Sequence, residues 1–256
     1  MPLQIISGTK LPVEVFQNIH GVIFDFDGTL FDYFRLPLYL ILACPWDIKN
    51  IYRERVTRKK FAGCDFGSAE RYYAEYFAQL SAQCHKPEPA VRAWYFNRFL
   101  PALIRVLKKH YKPRPGLQTL FNRFETRDNV SVSIYSDYPV LQERLAALGV
   151  RPGGRFRLYG PESFGAQKPA PRPFLTIAKH MGVHPEETIV IGDREETDGI
   201  GALRAGMRFF CLETGRKRHF HLDPNRRPLG NEVPSIPMYC GSWDTLSSLL
   251  IAFLGG

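Results

Sequence analysis

A short apolar strand that ends in two aspartates restricts the fold of this chain more than any other segment. Residues Gly21 to Leu30 read Gly-Val-Ile-Phe-Asp-Phe-Asp-Gly-Thr-Leu, a pattern typical of a buried strand that breaks at a glycine. Asp25 and Asp27 are two residues apart, so the alternation of a strand directs both carboxylates to the same face. Two like charges repel there, and their burial is costly without a cation or hydrogen-bond donors. The pair therefore indicates a metal-assisted chemical site.

The residue types in this segment suit covalent chemistry. A carboxylate can act as a nucleophile, including one that forms an aspartyl-phosphate, while a second carboxyl group transfers the proton of the leaving or attacking oxygen. Asp25 and Asp27 can fill these two roles. Gly28 allows a sharp turn that brings backbone N–H groups near an anion, and Thr29 adds a hydroxyl donor. The competing interpretation is an ordinary surface turn, because Asp-Gly turns after strands are common.

Three later segments place further polar groups at strand ends or on a stiff loop. A second β-rich run ends at Ser136, and a third apolar run ends at Asp193, which Asp198 follows. Lys168 precedes a Pro-Ala-Pro sequence and a helix with apolar residues at helical spacing, so it is a cation on a restricted loop. Acidic oxygens gathered at a strand end suit a hard cation such as Mg²⁺.

The alternation of strands and helices predicts the fold class. Helical stretches separate the candidate strands, which indicates a mostly parallel sheet in a Rossmann-like, three-layer α/β core. The strands are predicted near residues 21–26, 130–136, 156–160, 187–192, 207–212 and 237–240. Open α/β sheets bind ligands at the carboxyl ends of their strands, where the polar residues of this chain also lie. Residues 1–18 are left open as an extra helix, an extra strand or a partner contact.

The interval between the first two of these motifs predicts an inserted domain. It covers about residues 33–112, far longer than an ordinary βα connection, and its apolar residues follow helical spacing. We therefore expect an α-helical cap at 33–112 and an α/β core built from 1–32 and 113–256. One helix carries an aromatic stripe that we interpret as core packing, with the lining of a substrate pocket as the alternative. The stripe comprises Ala69, Tyr72, Tyr73, Tyr76, Phe77 and Leu80.

Taken in order, four motifs resemble those of the haloacid dehalogenase (HAD) superfamily. They are DFDGTLFD, the strand that ends at Ser136, Lys168 within KPAP, and GDREETD, and together they cover most of the chain. The predicted insertion also matches the position of the family's helical cap. The resemblance implies that Asp25 is the nucleophile and Asp27 the general acid and base. It further implies that Ser136 donates to a phosphoryl oxygen and that Lys168 offsets the charge on nucleophile and phosphate.

The same resemblance implies a Mg²⁺ site. Asp193 is expected to be a metal ligand, together with a carboxylate oxygen of Asp25 and the backbone carbonyl of Asp27. Asp198 is expected to orient the water molecules on the metal, and it completes the predicted metal-site residues. The residues expected to bind substrate are Thr29, Ser136, Asp137 and Lys168.

The acid at position 27 determines the expected reaction. HAD members that cleave carbon–halogen bonds lack an acid there, whereas phosphatases and phosphomutases use it to protonate the leaving alkoxide. The resemblance therefore implies a Mg²⁺-dependent phosphatase of a small phosphorylated metabolite, working through two in-line displacements and an aspartyl-phosphate. A cap that closes over its substrate favours a metabolite over a phosphoprotein. A sugar-phosphate phosphomutase shares every motif and stays open as the alternative.

The positive charge of the chain raises a different class of function. The formal net charge is +9, and part of the excess lies in the run 216–227, so a nucleic-acid or anionic-surface binding protein is the rival interpretation. The run lacks regular aromatic interleaving, so nucleic acid is not the partner we expect, although it stays open. A zinc site at its His-x-His pair is not expected. A second basic run, 53–60, is interpreted as a solvated helix face, with contact to a second anionic group of the substrate as the alternative.

The cysteines and the apolar runs bear on location. Five cysteines with no C-x-x-C spacing are typical of reduced thiols in a cytosolic protein. The amino terminus has no signal-peptide pattern, and the apolar runs 36–43 and 249–254 are too short to span a bilayer. We therefore expect a soluble cytoplasmic enzyme with no membrane partner, and its oligomeric state stays open.

Overall fold

One parallel sheet organises the computed structural model, which describes residues 5–7, 13–213, 236 and 238–255. Its strands are β1 (Ile5–Ser7), β2 (Gly21–Asp25), β3 (Ser131–Tyr135), β4 (Arg157–Tyr159), β5 (Thr188–Gly192), β6 (Arg208–Leu212) and β7 (Met238–Gly241). Their spatial order is β1-β7-β6-β5-β2-β3-β4, and each neighbouring pair is parallel. The predicted α/β class with a mostly parallel sheet is confirmed. β1, within the segment left open by the sequence, forms one edge.

Between β2 and β3 the chain forms six α-helices, of which the first five make up the helical insertion. These five are α1 (Leu36–Ala43), α2 (Ile48–Lys60), α3 (Ala69–Cys84), α4 (Glu88–Trp94) and α5 (Leu100–His110), with a single π-type turn over Tyr95–Phe99. α3 begins after Ser68, whose hydroxyl accepts a hydrogen bond from the Arg71 backbone N–H, a typical helix cap. These helices occupy the segment predicted as a cap, and the exact boundaries of that domain stay a prediction.

The aromatic stripe on α3 packs into a core. Tyr72, Tyr76 and Phe77 are buried, and the Tyr76 and Phe77 rings lie 5.9 and 5.4 Å from the ring of Tyr95. Such edge-on aromatic contacts stabilise a core beyond their burial alone. The interpretation of the stripe as core packing agrees with this arrangement, because its large rings face other helices of the same segment.

Helices cover both faces of the sheet. They are α6 (Leu117–Glu125), α7 (Leu141–Ala147), α8 (Pro161–Phe164), α9 (Pro171–Met181), α10 (Ile200–Arg204) and α11 (Trp243–Gly255). Alternate residues of β2 enter different cores: Phe24 packs against Phe121 and Phe124 of α6, whereas Ile23 belongs to the cluster that contains Phe174 of α9. This alternation gives the three layers of the fold. Among the described helices, none is both long enough and apolar enough to cross a membrane.

The register of the central strands brings the predicted motifs together. Every residue of β2 is buried, and Phe24 lies opposite Ile134 of β3 and Ile191 of β5. Asp25 lies opposite Tyr135, so the residues that follow β2, β3 and β5 emerge side by side at one edge of the sheet.

Candidate active site

The turn after β2 is fixed by a glycine and an arginine. Gly28 has φ +93°, and a Cβ placed on it would lie 2.4 Å from the Asp193 Oδ2, so no other residue fits without displacing that carboxylate. Arg114, where the chain returns from the helical insertion, donates from Nη2 to the Gly28 carbonyl at 2.9 Å and from Nε to the Thr29 carbonyl at 3.3 Å. The turn therefore holds the carboxyl end of β2 against the end of β5.

Asp25 is buried at the end of β2 and both of its oxygens are engaged. Oδ1 accepts a hydrogen bond from the Lys168 ammonium at 2.6 Å, and Oδ2 accepts one from the Thr29 hydroxyl at 3.0 Å. Burial raises the pKa of Asp25 from 3.8 to about 7; Lys168 opposes this rise, while the carboxylates of Asp198 and Asp27 add to it. The carboxylate is thus oriented by two donors and is costly to ionise in the absence of further positive charge.

Lys168 joins two acids of the site. Its ammonium also donates to Asp198 Oδ1 at 2.7 Å, and its backbone N–H donates to Asp137 Oδ1 at 3.0 Å. Burial alone lowers the pKa of Lys168, but the nearby carboxylates of Asp198, Asp25 and Asp137 outweigh it and the net shift is upward. The side chain is therefore a fixed cation at the centre of the acidic group. Asp137 supports the loop that carries Lys168, and its role in binding substrate stays a prediction.

Three carboxylates can hold a metal ion. Asp25, Asp193 and Asp198 are buried, and each offers an oxygen within 4.8 Å of the others. Burial raises the pKa of Asp198 despite the opposing effect of Lys168. An all-oxygen donor set of this kind suits Mg²⁺, and an added cation would offset the repulsion among the acids. A Cβ on Gly192 would lie 2.6 Å from Asp198 Cβ, so the strand end also has to be a glycine for Asp198 to approach.

A buried arginine joins the second acid of β2 to the end of β3. Arg144 of α7 has no exposed surface and donates from Nη2 to Asp27 Oδ1 at 2.5 Å and from Nη1 to the Ser136 hydroxyl oxygen at 2.9 Å. The Ser136 hydroxyl in turn donates to Asp27 Oδ2 at 3.2 Å. The guanidinium carbon lies 4.2 Å from the centre of the Phe26 ring. The arrangement is a planar, bidentate clamp that holds Asp27 and Ser136 together.

Sequence reasoning did not identify Arg144, although a signal was present. Leu141, Leu145 and Leu148 lie at helical spacing and are buried, and Arg144 falls on the same face of α7. A charged residue among the apolar positions of an amphipathic helix is seldom buried without a partner. Its partner lies 117 positions earlier in the chain, and nothing in the local pattern specifies it.

A cavity of about 450 Å³ opens beside Asp27. The Asp27 side chain is 24% exposed, whereas that of Asp25 is 10% exposed, so Asp27 is the more accessible of the two acids. From the helical insertion, the cavity is lined by Arg55, Arg58 and Lys59 of α2. This placement contradicts the interpretation of the basic run 53–60 as a purely solvated helix face. The other basic run, 216–227, lies outside the described residues.

The predicted site residues lie together at one edge of the sheet. The structure brings Asp25, Thr29, Lys168, Asp193 and Asp198 into one buried group. It places Asp27 and Ser136 in a second group with Arg144. The roles implied by the resemblance stay predictions.

Comparison with protein families gives one match that covers most of the chain. A family model described as a haloacid dehalogenase-like hydrolase matches residues 19–206, which include all four motifs. Among curated proteins, the glyceraldehyde 3-phosphate phosphatase of Methanopyrus kandleri is 48% identical over 55 residues, which are 22% of this chain and 24% of that protein. The chain therefore spans about a quarter of the length of the curated relative that it matches.

Solved structures share the fold at low sequence identity. A HAD-hydrolase of Bacillus subtilis described as bound to magnesium has a TM-score of 0.57 and 18% identity, covering 91% of this chain and 98% of that one. A 2-haloacid dehalogenase of Pseudomonas syringae has a TM-score of 0.56 and 17% identity, covering 92% and 99%. A protein of Thermotoga maritima described as a beta-phosphoglucomutase has a TM-score of 0.55 and 16% identity, covering 92% and 98%. Because these proteins differ in their named reactions, the likeness establishes the fold alone.

Proposed function

The chain belongs to the haloacid dehalogenase-like hydrolase family, and within that family we propose that it is a Mg²⁺-dependent phosphatase of a small phosphorylated metabolite. The observation that carries the proposal is the carboxylate of Asp27, which lines the cavity beside the buried Asp25 and its lysine. A hydrolase that cleaves a phosphate monoester needs a nucleophile and a separate acid for the leaving alkoxide. The phosphatase name of the Methanopyrus kandleri relative supports the same choice.

Asp25 is proposed as the nucleophile. Its oxygen attacks phosphorus, an oxygen–phosphorus bond forms, and the bond from phosphorus to the ester oxygen breaks. The hydrogen bonds from Lys168 and Thr29 orient the carboxylate before substrate arrives, so little rearrangement is needed at the moment of attack. Lys168 also places a fixed positive charge where negative charge accumulates on the transferring group.

Asp27 is proposed to move the proton. In the first step it gives a proton to the leaving alkoxide, which departs as an alcohol. In the second step it accepts a proton from the water that attacks the aspartyl-phosphate, and inorganic phosphate is released. Arg144 holds Oδ1 of this carboxylate, so Oδ2 is the oxygen proposed to exchange the proton. Ser136, whose hydroxyl lies beside Oδ2, is proposed to donate to a phosphoryl oxygen once substrate is bound.

The metal is proposed to be held by carboxylate oxygens of Asp25 and Asp193, by the backbone carbonyl of Asp27, and through water by Asp198. When bound, Mg²⁺ neutralises negative charge on the phosphoryl group and on the attacking acid. The acids around it fit this ion because they are buried oxygen donors in excess over the positive charges beside them.

The proposed location is the cytoplasm. The five cysteines are thiols in the structure, and Cys84, Cys211 and Cys240 are buried. Free thiols are typical of reducing compartments.

The proposal is tested by phosphate release from p-nitrophenyl phosphate and from a panel of phosphorylated metabolites. Wild type with Mg²⁺ is expected to release phosphate, Asp25→Asn to lose about a thousandfold or more in kcat, and EDTA to abolish release reversibly. Mass spectrometry of quenched wild type is expected to show a phosphorylated Asp25. Conversion of a sugar phosphate to its isomer without phosphate release would indicate the phosphomutase. Release that survives Asp25→Asn in folded protein would refute the proposed nucleophile.

A further inference from the structure

The wall of the cavity supplied by α2 carries positive charge that the proposed chemistry does not use. Arg55, Arg58 and Lys59 all line the cavity, and their spacing of three and four residues places them on one side of the helix. This group does not include Lys168 or Arg144, the two cations that take part in the proposed phosphoryl transfer. The cations of α2 therefore line the cavity on a different element from the cations of the proposed chemistry.

Arg58 is held in place by Glu54 and by the ring of Tyr138. Its Nε donates to Glu54 Oε1 at 3.1 Å, and the same oxygen accepts a hydrogen bond from the Tyr76 hydroxyl at 2.9 Å. Its guanidinium carbon lies 4.1 Å from the centre of the Tyr138 ring. The Tyr138 ring also lies 5.4 Å from the guanidinium carbon of Arg144, which holds Asp27. Tyr138 thus connects the acid that is proposed to move the proton with the cations of α2.

Arg55 and Lys59 are the available charges. Both side chains are exposed to the cavity and solvent, and within the described part of the chain neither forms an ion pair or a side-chain hydrogen bond. The other cation that lines the cavity, Arg194, donates from Nε and Nη2 to Glu196 Oε1 at 3.2 Å. Two positive charges therefore face the cavity without a compensating acid at hydrogen-bond distance.

The cavity wall also has an apolar part, beside the acids Asp27, Glu54 and Glu196. Leu36 and Leu40 of α1, Ile51 of α2 and Phe99 contribute side chains to it. Cavities of a few hundred Å³ hold small metabolites, and apolar walls with a few placed charges determine which metabolite fits. The apolar part suits an apolar segment of a bound molecule, and Arg55 and Lys59 suit an anionic group on it.

We propose that Arg55 and Lys59, with Arg58 beside them, form a second anion site, so that the substrate is a phosphate monoester with a further anionic group beyond an apolar segment. The inference rests on the proposed phosphatase function, because it places the reacting phosphate at Asp25. The further group is a carboxylate or a second phosphate, which share the charge and the oxygen acceptors that arginine and lysine bind.

The test compares three phosphonates that the enzyme cannot hydrolyse: hexylphosphonate, 6-phosphonohexanoate and hexane-1,6-diphosphonate. Titration calorimetry in Mg²⁺ gives the Kd of each for wild type and for the double variant Arg55→Gln/Lys59→Gln. Wild type is expected to bind one or both of the doubly anionic compounds about tenfold more tightly than hexylphosphonate. The compound with the lower Kd identifies the group as carboxylate or phosphate. In the double variant the ratio is expected to fall to about one.

A matched control separates the site from the overall charge of the protein. Lys60→Gln/Lys109→Gln also removes two positive charges, from exposed positions on α2 and α5 that do not line the cavity. It is expected to keep the wild-type ratio of Kd values. Equal Kd values for the three compounds in wild type, or a ratio that survives in the double variant, would overturn the second anion site. Phosphate release from p-nitrophenyl phosphate is measured on the same samples. Release with equal Kd values overturns the second site alone, whereas a tenfold ratio without release overturns the phosphatase alone.

Discussion

Lowering the pH from 8 to 6 is expected to weaken Mg²⁺ binding about tenfold. Burial raises the pKa of Asp25 from 3.8 to about 7 in the absence of metal, and a carboxylate binds a metal ion only after it loses its proton. With a pKa of about 7, the ionised fraction of Asp25 falls from roughly ten-elevenths at pH 8 to roughly one-eleventh at pH 6. The apparent Kd for Mg²⁺ rises by the ratio of these fractions. A carboxyl group at 3.8 would be ionised at both pH values and predicts no change.

Titration calorimetry at the two pH values measures this effect. Repeating each titration in buffers of different ionisation enthalpy counts the protons released, which should be about one per Mg²⁺ at pH 6 and about a tenth of that at pH 8. Asp25→Asn is expected to bind Mg²⁺ more weakly and with a smaller pH dependence. The pH dependence that remains comes from Asp198, because burial raises its pKa too. The same Kd for wild type at both pH values, or no proton release at pH 6, would contradict a raised pKa of Asp25.

Three further predictions concern stability and positioning. Because folding raises the pKa of Asp25, the stability that its protonated form contributes is present below pH 4 and is lost as the pH rises through 7. Without Mg²⁺, Asp25→Asn should therefore have a higher Tm than wild type at pH 8 and no advantage at pH 4. Arg144→Met should lower kcat about a hundredfold with a much smaller change in KM, because Arg144 holds the acid that is proposed to transfer the proton. Arg144→Lys should restore part of kcat. Equal effects on kcat and KM would contradict a positioning role. Gly28→Ala should lower the unfolding free energy by about 2 to 3 kcal/mol, because Gly28 has φ +93° and the new Cβ meets a carboxylate. Gly116→Ala should lower it by about 1 kcal/mol, because Gly116 has φ +72° and a new Cβ there has no neighbour within 4 Å. Equal losses in urea denaturation would argue against the contact at Gly28.

The parts of the site that the sequence predicts are those encoded by chain position alone. Asp25, Ser136 and Asp193 each follow an apolar strand, and parallel strands end at one edge of a sheet, so their proximity follows from the fold class. The roles of Lys168 and Asp198 follow from the resemblance, since their spacing in the chain matches a known order of motifs. The structure adds the distances that link Lys168 to two of these acids.

The parts that the sequence does not predict depend on partners distant in the chain. The contact of Arg144 with Asp27 and that of Arg58 with Tyr138 join separate helices and loops, and no local period specifies them. The edge strand Ile5–Ser7 has three residues, too few for an alternating pattern, and it is defined by its pairing with Met238–Gly241. The basic run of α2 has the composition of a solvated helix face. Only the position of α2 at the cavity favours the other interpretation, contact with a second anionic group of the substrate.

The distribution of charge explains why a site with two buried cations can still accommodate a metal ion. Asp25 is paired with Lys168 and Asp27 with Arg144, so each of the two proposed chemical acids has its own counter-charge. Asp193, Asp198 and Asp137 lie in the same region, so these five acids outnumber Lys168 and Arg144, and Arg194 is a further cation near Asp193 and Asp198. A divalent cation reduces the repulsion among these acids, whereas a phosphate dianion would add to it. Burial is the main cause of the raised pKa of Asp25, and the carboxylates of Asp198 and Asp27 add to it. On α2, Arg58 is paired with Glu54, whereas Arg55 and Lys59 have no acid at hydrogen-bond distance among the described residues, which is why the second anionic group of the substrate is expected beside those two cations.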